Sequence, residues 1–268
     1  LCLDLILLNQ EHELLEKRRK NAEELLAIYE TRMKNGDATI LELNKVKMDR
    51  MNVQTEVTQN EAAHQTALQS LLALNGNMPL EFDQKDYPAS QDVVDYEALY
   101  DKAVASELTL RSARADVLAS EQNVKVNKQN WLPKFEVGYR RNTDGSDASN
   151  GFMVGASFPL FSGRNKLKSA KAKLQESTLQ LDNVKVQTEN NVRSKVNEMK
   201  QLRKAADTYD TALLNSTLDL LRKAVEGGEL SIIEYYVEAD AIYKNLQTQM
   251  QLENQYQKAY AELTKGEL

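Results

Sequence analysis

Two glutamates, Glu42 and Glu234, hold the same place in two segments of the chain. Each stands six residues past a glycine, Gly36 or Gly228, and each opens a Gln-rich stretch. Little else in the 268 residues is arranged for chemistry. His12 and His64 have no partner at metal-ligand spacing, and Cys2 is the single cysteine. Neither a zinc centre nor an intramolecular disulfide is expected. No nucleophile–base pair, phosphate loop or GxGxxG fingerprint occurs, and Gly227-Gly228 reads as a helix break. Met33, Met48 and Met51 lie near the first glycine at helical spacing and read as core filler rather than a metal path. The expectation is a protein that is not an enzyme and carries no cofactor or metal. A net charge of -6 also argues against a duplex-binding protein, which needs a basic face.

The elements that carry these residues are helices. Only 10 Gly and 4 Pro are found in the whole chain, so turns are few and elements long. The abundant residues are strong helix formers. No run of 18 apolar residues exists, so no transmembrane helix is predicted. The chain opens on an apolar stretch that is too short and wrongly flanked for a signal peptide. It reads as a fragment beginning inside a helix, with Cys2 as a packed thiol. Leu8, His12, Leu15, Arg19, Ala22, Leu26, Tyr29 and Met33 alternate in steps of four and three, the seam of a coiled coil. That helix should stop at Gly36 in a left-handed C-cap. A second helix is predicted from Thr39 to Leu74, then a loop containing Pro79 and Pro88. A short helix should follow over Tyr96–Val104. Ser106 should cap the next one, and Pro133 should close it.

The pattern then changes to period two. Phe135, Val137 and Tyr139 alternate with Glu136 and Arg140, and Phe152, Val154, Ala156 and Phe158 alternate with Gly155 and Ser157. With the polar stretch 142–151 between them, these segments read as a two-stranded hairpin. Beyond Gly163 no Gly or Pro interrupts the chain until Gly227, which predicts one continuous helix with a phase slip near Val192. A last helix carries Ile232, Tyr236, Ala239, Tyr243, Leu246 and Met250. Sliding the chain on itself by 192 residues gives nine identities over 46 positions, where about three are expected by chance. Both segments are helix, Gly turn, helix. The chain therefore holds two copies of one long helical hairpin.

With these features the sequence resembles the TolC-type outer-membrane efflux family. The resemblance rests on Trp131-Leu132-Pro133-Lys134-Phe135 leading from helix to strand, and on Phe158-Pro159-Leu160-Phe161-Ser162-Gly163-Arg164 leading back to helix. It rests also on the duplicated tips, Gly36-Asp37-Ala38-Thr39-Ile40-Leu41-Glu42 and Gly228-Glu229-Leu230-Ser231-Ile232-Ile233-Glu234. The fold it implies is mainly α: two long antiparallel coiled-coil hairpins, plus a β-hairpin that belongs to an outer-membrane barrel. The first hairpin would occupy residues 1–75, truncated at its N-terminus, and an equatorial loop 76–95. Helices leading to the strands would occupy 96–133, the barrel strands 134–162, and the second hairpin 163–268. Two strands supply part of the four that each family subunit contributes to a twelve-stranded barrel. Alone they cannot close a pore, because open edges are not tolerated in lipid.

The resemblance further implies a homotrimer in the full-length protein, lodged in the outer membrane of a Gram-negative bacterium with its helices in the periplasm. The periplasmic adaptor protein and the inner-membrane pump are the implied partners, and no nucleic acid is. The function implied is a passive exit duct for substrates delivered by that pump. The alternatives are a periplasmic adaptor, which would need one hairpin and a β-rich remainder, and a structural coiled-coil scaffold, which would not need amphipathic strands. In the family the hairpin tips narrow the tunnel, which makes Glu42 and Glu234 candidates for acidic rings that attract cations. Asn35, Gly36, Thr39, Gly228, Leu230 and Ser231 would meet the adaptor. The sequence departs from the family at Val237, where a second acid sometimes stands, and at Leu230, where an Arg sometimes stands.

Overall fold

The computed structural model describes residues 1–88, 95–129, 134–144, 147–157 and 163–267. In order these form α1 (Cys2–Asn35), α2 (Ile40–Leu74), α3 (Tyr96–Ser106), α4 (Leu108–Gln129), β1 (Lys134–Asp144), β2 (Asp147–Ser157), α5 (Gly163–Ala206), α6 (Thr211–Gly227) and α7 (Ile232–Thr264). A short 3-10 turn, Lys265–Glu267, follows. The chain divides into two compact units. One holds Leu1–Tyr96 and Lys195–Lys265, and the other is built on Glu97–Ser194. The division falls inside α5.

The first unit contains both helical hairpins, α1–α2 and α6–α7. Their apolar faces meet in one core. Leu14, Leu25 and Tyr29 come from α1, Leu43 and Val46 from α2, and Val225 from α6. From α7 come Ile232, Tyr235, Tyr236, Ala239, Ile242, Tyr243 and Leu246. Leu15, Val53 and Val57 form a smaller cluster between α1 and α2. The α1 stripe is legible at Leu15, Ala22 and Tyr29, all buried, but the helix buries a second stripe at Leu14 and Leu25. A helix packed against two partners needs two stripes, and a heptad reading finds one. The difference moves a charge. The periodicity places Arg19 in the seam, whereas Arg19 binds Glu16 and Glu23 on the surface and the Arg18 side chain, 12% exposed, turns inward.

Polar groups interrupt the α2 seam at Asp49 and Asn60. Asn60 Nδ2 donates to the Leu8 carbonyl at 3.1 Å. The loop after α2 begins with Gly76 and Asn77 in the left-handed region. It is tied to α1 by Asn9, whose Nδ2 donates to the Phe82 and Gln84 carbonyls, and by the Lys85–Glu13 pair at 3.0 Å. Asn254 of α7 donates to the Tyr87 hydroxyl, and burial pushes that phenol up to about 12. Tyr236 is buried among charges and rings, yet its hydroxyl has no hydrogen-bond partner among the described residues. Removing an unbonded buried hydroxyl relieves a desolvation cost. Tyr236→Phe is therefore expected to raise the urea unfolding midpoint, by about 1 kcal/mol in stability. A fall in the midpoint would show that the hydroxyl is bonded in solution.

The structure revises four local readings. Cys2, expected as a packed thiol, is exposed at the start of α1. The helix expected to run unbroken from Gly163 to Gly227 stops at Ala206 and restarts at Thr211. The Thr208 and Tyr209 amides bond three residues back, and Asp210 caps α6 by accepting from the Leu213 amide at 2.9 Å. Asp207 and Asp210 are turn and cap residues, so the break needs neither Gly nor Pro. Ser106 does not cap α4. It ends α3, where its hydroxyl donates to the Ala103 carbonyl at 3.1 Å. The stretch 142–151 is mostly strand rather than loop, with Asn142 paired to Ser149 and Asp144 to Asp147.

In the second unit, α4 buries Leu110, Ala113, Ser120 and Val124, and α5 buries Ala170 and Ser177. Ser120 Oγ and Ser177 Oγ lie 2.9 Å apart. The expected hairpin alternation is present. Phe135 faces Ala156, Val137 faces Val154 and Tyr139 faces Phe152 in register. The Tyr139 and Phe152 rings lie 5.3 Å apart, tilted at 57° to each other. Their side of the ribbon is open: Phe152 is 82% exposed and Val137 78%. Each strand has 11 residues, the length of a tilted membrane-spanning strand. Phe158, the rest of 158–162 and the Trp131-Leu132-Pro133 segment lie outside the described residues.

Candidate functional site

The two tips are built alike, atom for atom, across the repeat. Gly36 ends α1 at φ 82° and ψ 9°, and Gly228 ends α6 at φ 78° and ψ 12°. Each glycine amide bonds three residues back, to Met33 or Val225, and the next amide bonds five back, to Arg32 or Ala224. This is a Schellman cap, which needs the left-handed conformation that a side chain disfavours. The next helix starts with a capping box in both tips. Glu42 and Glu234 take the third helical position, and each carboxylate reaches back to the N-cap residue. Glu42 Oε2 accepts from the Thr39 amide at 2.7 Å and from its hydroxyl at 2.8 Å, while the Glu42 amide donates to Thr39 Oγ1 at 3.2 Å. Glu234 Oε2 accepts from the Ser231 amide at 3.2 Å and hydroxyl at 2.7 Å, and its amide donates to Ser231 Oγ at 3.2 Å.

Both acids named from the sequence thus have a local structural job, and its signal is the Thr39-x-x-Glu42 and Ser231-x-x-Glu234 spacing. They remain charged at neutral pH. The Thr39 amide and hydroxyl hold Glu42 below the usual carboxylate range, and the Ser231 hydroxyl and amide do the same for Glu234. A depressed folded-state value stabilises the fold above the unfolded-state value of 4.5. That contribution disappears as pH falls through the depressed value. Amide hydrogen exchange at Thr39 and Ser231 is expected to speed up on acidification from about pH 5 to about pH 3, after correction for intrinsic rates. Protection unchanged over that range would show that the boxes do not persist in solution.

Asn35, Gly36, Thr39, Gly228 and Ser231 are exposed at the tips. Leu230 is half-buried against the core that holds Tyr235, and Ala38 and Leu43 repeat that relation in the first tip. This is the arrangement of a hydrophobic staple, so Leu230 serves the entry angle of α7 more than an outer surface. The structure also brings the tips together through residues the periodicity overlooked. Arg32, in the last turn of α1, donates to the Val225 carbonyl at 3.4 Å, which also accepts from the Gly228 amide, and to the Glu226 carbonyl at 2.7 Å, both in the last turn of α6 where carbonyls lack a partner four residues on. Arg222 bonds Glu24 across the hairpins and Glu226 on its own helix at 2.9 Å. A basic residue near a helix C-terminus was the signal for Arg32.

Deeper in the same unit, Arg18 gathers three carboxylates from two helices. It lies 3.2 Å from Asp49 and 3.3 Å from Glu56, both on α2, and 2.8 Å from Asp240 on α7. Its guanidinium also sits 5.0 Å from the centre of the Tyr243 ring. Burial pushes the Asp49 carboxyl up, and Arg18 acts against that rise. Beside it, Asn21 donates to the Tyr235 hydroxyl. Among the described residues no helix is long and apolar enough to cross a membrane, and no cluster of three or more metal-ligating side chains occurs.

Residues 99–265 match the family of outer membrane efflux proteins. No curated protein sequence matches the chain. Among solved structures it is similar to the outer membrane protein VceC of Vibrio cholerae, at 17% identity and a TM-score of 0.76 over 99% of this chain and 67% of that one. It is similar also to the CmeC outer membrane channel of Campylobacter jejuni, at 12% identity and 0.74 over 98% of this chain and 60% of that one. The open state of the MtrE outer membrane channel of Neisseria gonorrhoeae matches at 14% identity and 0.63, over 99% and 66%. The chain thus spans between 60% and 67% of the length of these three proteins.

Proposed function

This chain belongs to the outer membrane efflux protein family, and from that membership we propose that it forms the periplasmic helical wall and two barrel strands of a trimeric exit duct. The observation that carries the reading is the pairing of two features in one chain. One is an 11-residue strand pair with an exposed apolar face, and the other is a duplicated helical hairpin with matching capped tips. The strands suit lipid on their Phe135–Val137–Tyr139 side. The polar helices suit a tunnel filled with water.

In this reading the duct is passive. An inner-membrane pump and a periplasmic adaptor deliver the substrate, and the exposed tip residues Asn35, Gly36, Thr39, Gly228 and Ser231 meet the adaptor. Glu42 and Glu234 each contribute one carboxylate per subunit to rings around the threefold axis. The chain's role is that of a transport component, not of an enzyme. The test is planar-bilayer conductance of the full-length protein beside a polypeptide of these 268 residues. Full-length protein is expected to give stable channels and the shorter polypeptide none, because its strand pair leaves both edges unpaired. A full-length protein that inserts without conducting would end the duct reading.

A further inference from the structure

Where α4 ends and α5 begins, the helices carry lysines and no acid. Lys125 and Lys128 stand on α4, and Lys166, Lys168, Lys171 and Lys173 on α5, all exposed. The Ser120–Ser177 contact at 2.9 Å sets the register of this antiparallel pair. It puts position 125 level with 172, and 128 level with 169. At a rise of 1.5 Å per residue the six lysines fill a band about 10 Å deep. The nearest acids along the two helices, Glu121 and Glu176, lie at the edge away from the strands. Lys173 pairs with Glu176 at 3.1 Å, and among the described residues the other five lysines have no ion pair. In a chain of net charge -6 this is a strong local segregation of charge.

The band also has a fixed neighbour. Gln129 and Lys134 are five Cα steps apart, so at most about 18 Å separates the band from the base of the hairpin. Just beyond that base the ribbon exposes Phe135, Val137, Val154 and Phe152. A cationic layer followed by an exposed apolar layer repeats the order of headgroup and hydrocarbon in a membrane leaflet.

We propose that this lysine band binds the anionic phospholipid headgroups of the leaflet on the helix side of the membrane. The inference rests on the membrane-strand reading given above and adds a lipid preference to it. Clusters of four to eight basic residues beside a membrane-spanning element attract anionic lipid. Lysine ammonium groups act as mobile point charges, which suits a fluid headgroup layer better than a fitted pocket. Around α5, Lys166 and Lys173 stand beside the buried Ala170–Ser177 stripe, Lys171 stands to its other side and Lys168 on the opposite face. The charges are therefore spread around the helix at one level rather than gathered on one face. The overall negative charge disfavours a polyanion approaching from solution.

The test uses the full-length protein and vesicles of phosphatidylcholine with or without phosphatidylglycerol. Flotation with the vesicles after a urea wash reads insertion. Native mass spectrometry then counts retained lipids. Wild type is expected to keep phosphatidylglycerol over phosphatidylcholine, with the excess falling roughly five-fold when all six lysines become Gln and when salt is raised to about 0.5 M. Six Lys→Arg changes should restore it. The pair Lys168→Gln and Lys171→Gln should lose part of it even if the sixfold Gln variant misfolds. Insertion without phosphatidylglycerol preference overturns the lipid inference and leaves the channel reading intact. Absence of insertion removes the channel reading and the inference with it. Retention of a polyglutamate probe in preference to phosphatidylglycerol would reassign the band to an acidic polypeptide and overturn the proposal.

Discussion

Arg18→Ala is expected to destabilise the paired hairpins by about 3 kcal/mol. The guanidinium is the common partner of Asp49, Glu56 and Asp240, so its removal strips three carboxylates at once. Asp49 has little recourse to water, its side chain being 8% exposed. Burial already pushes its carboxyl up, and losing Arg18 pushes it further. Glu56 and Asp240 are 37% and 53% exposed and rehydrate, so the cost comes mainly from Asp49. The cation–π contact with Tyr243 is lost as well. Urea denaturation of wild type, Arg18→Ala, Asp49→Asn and the double variant closes a cycle. The double variant should recover much of the loss, because a neutral Asn needs no counter-charge. A single Arg18→Ala change that leaves the midpoint in place would mean water reaches Asp49 freely.

Glu234→Gln is expected to change ion selectivity without changing the fold. Gln serves in a capping box as Glu does, so the bonds to Ser231 are retained while one charge per subunit is removed. Were three carboxylates to face one another across ~6–8 Å in partly hydrated surroundings, their repulsion would be on the order of 2 kcal/mol per pair. Neutralising the ring should lower cation preference, read from reversal potentials of the full-length channel in a salt gradient, and alter opening. The companion change Ser231→Ala separates the two roles. It removes the cap at a cost of about 1 kcal/mol and keeps the charge, so it should shift stability and leave selectivity in place. Selectivity unmoved by Glu234→Gln would confine that residue to its capping role and transfer the ring to Glu42.

The sequence by itself determined the elements and their duplication. Helix ends followed from glycines that adopt φ near +80°, and strand pairing followed from strict alternation. Both are local rules, so Gly36, Gly228 and the Val137–Val154 register were legible. The site was legible as positions but not as bonds. Glu42 and Glu234 stand out by repetition, and Thr39 and Ser231, each three residues before its acid, are exposed at the tips and cap the helices as well.

Only the tertiary structure decided which face of α1 met which partner. A heptad pattern records one seam, and α1 serves two. That is why Arg19 was expected inside and Arg18 is found there, binding charges that lie 31, 38 and 222 residues away in the chain. The break at 207–210 is hard to read from the chain for a local reason. An Asp fits a helix interior or a cap, and Asp210 is a cap here because it accepts from the Leu213 amide. Periodicity reports what one element can bury. Which charges are buried together depends on the packing of elements far apart in sequence, and that is settled only when they meet.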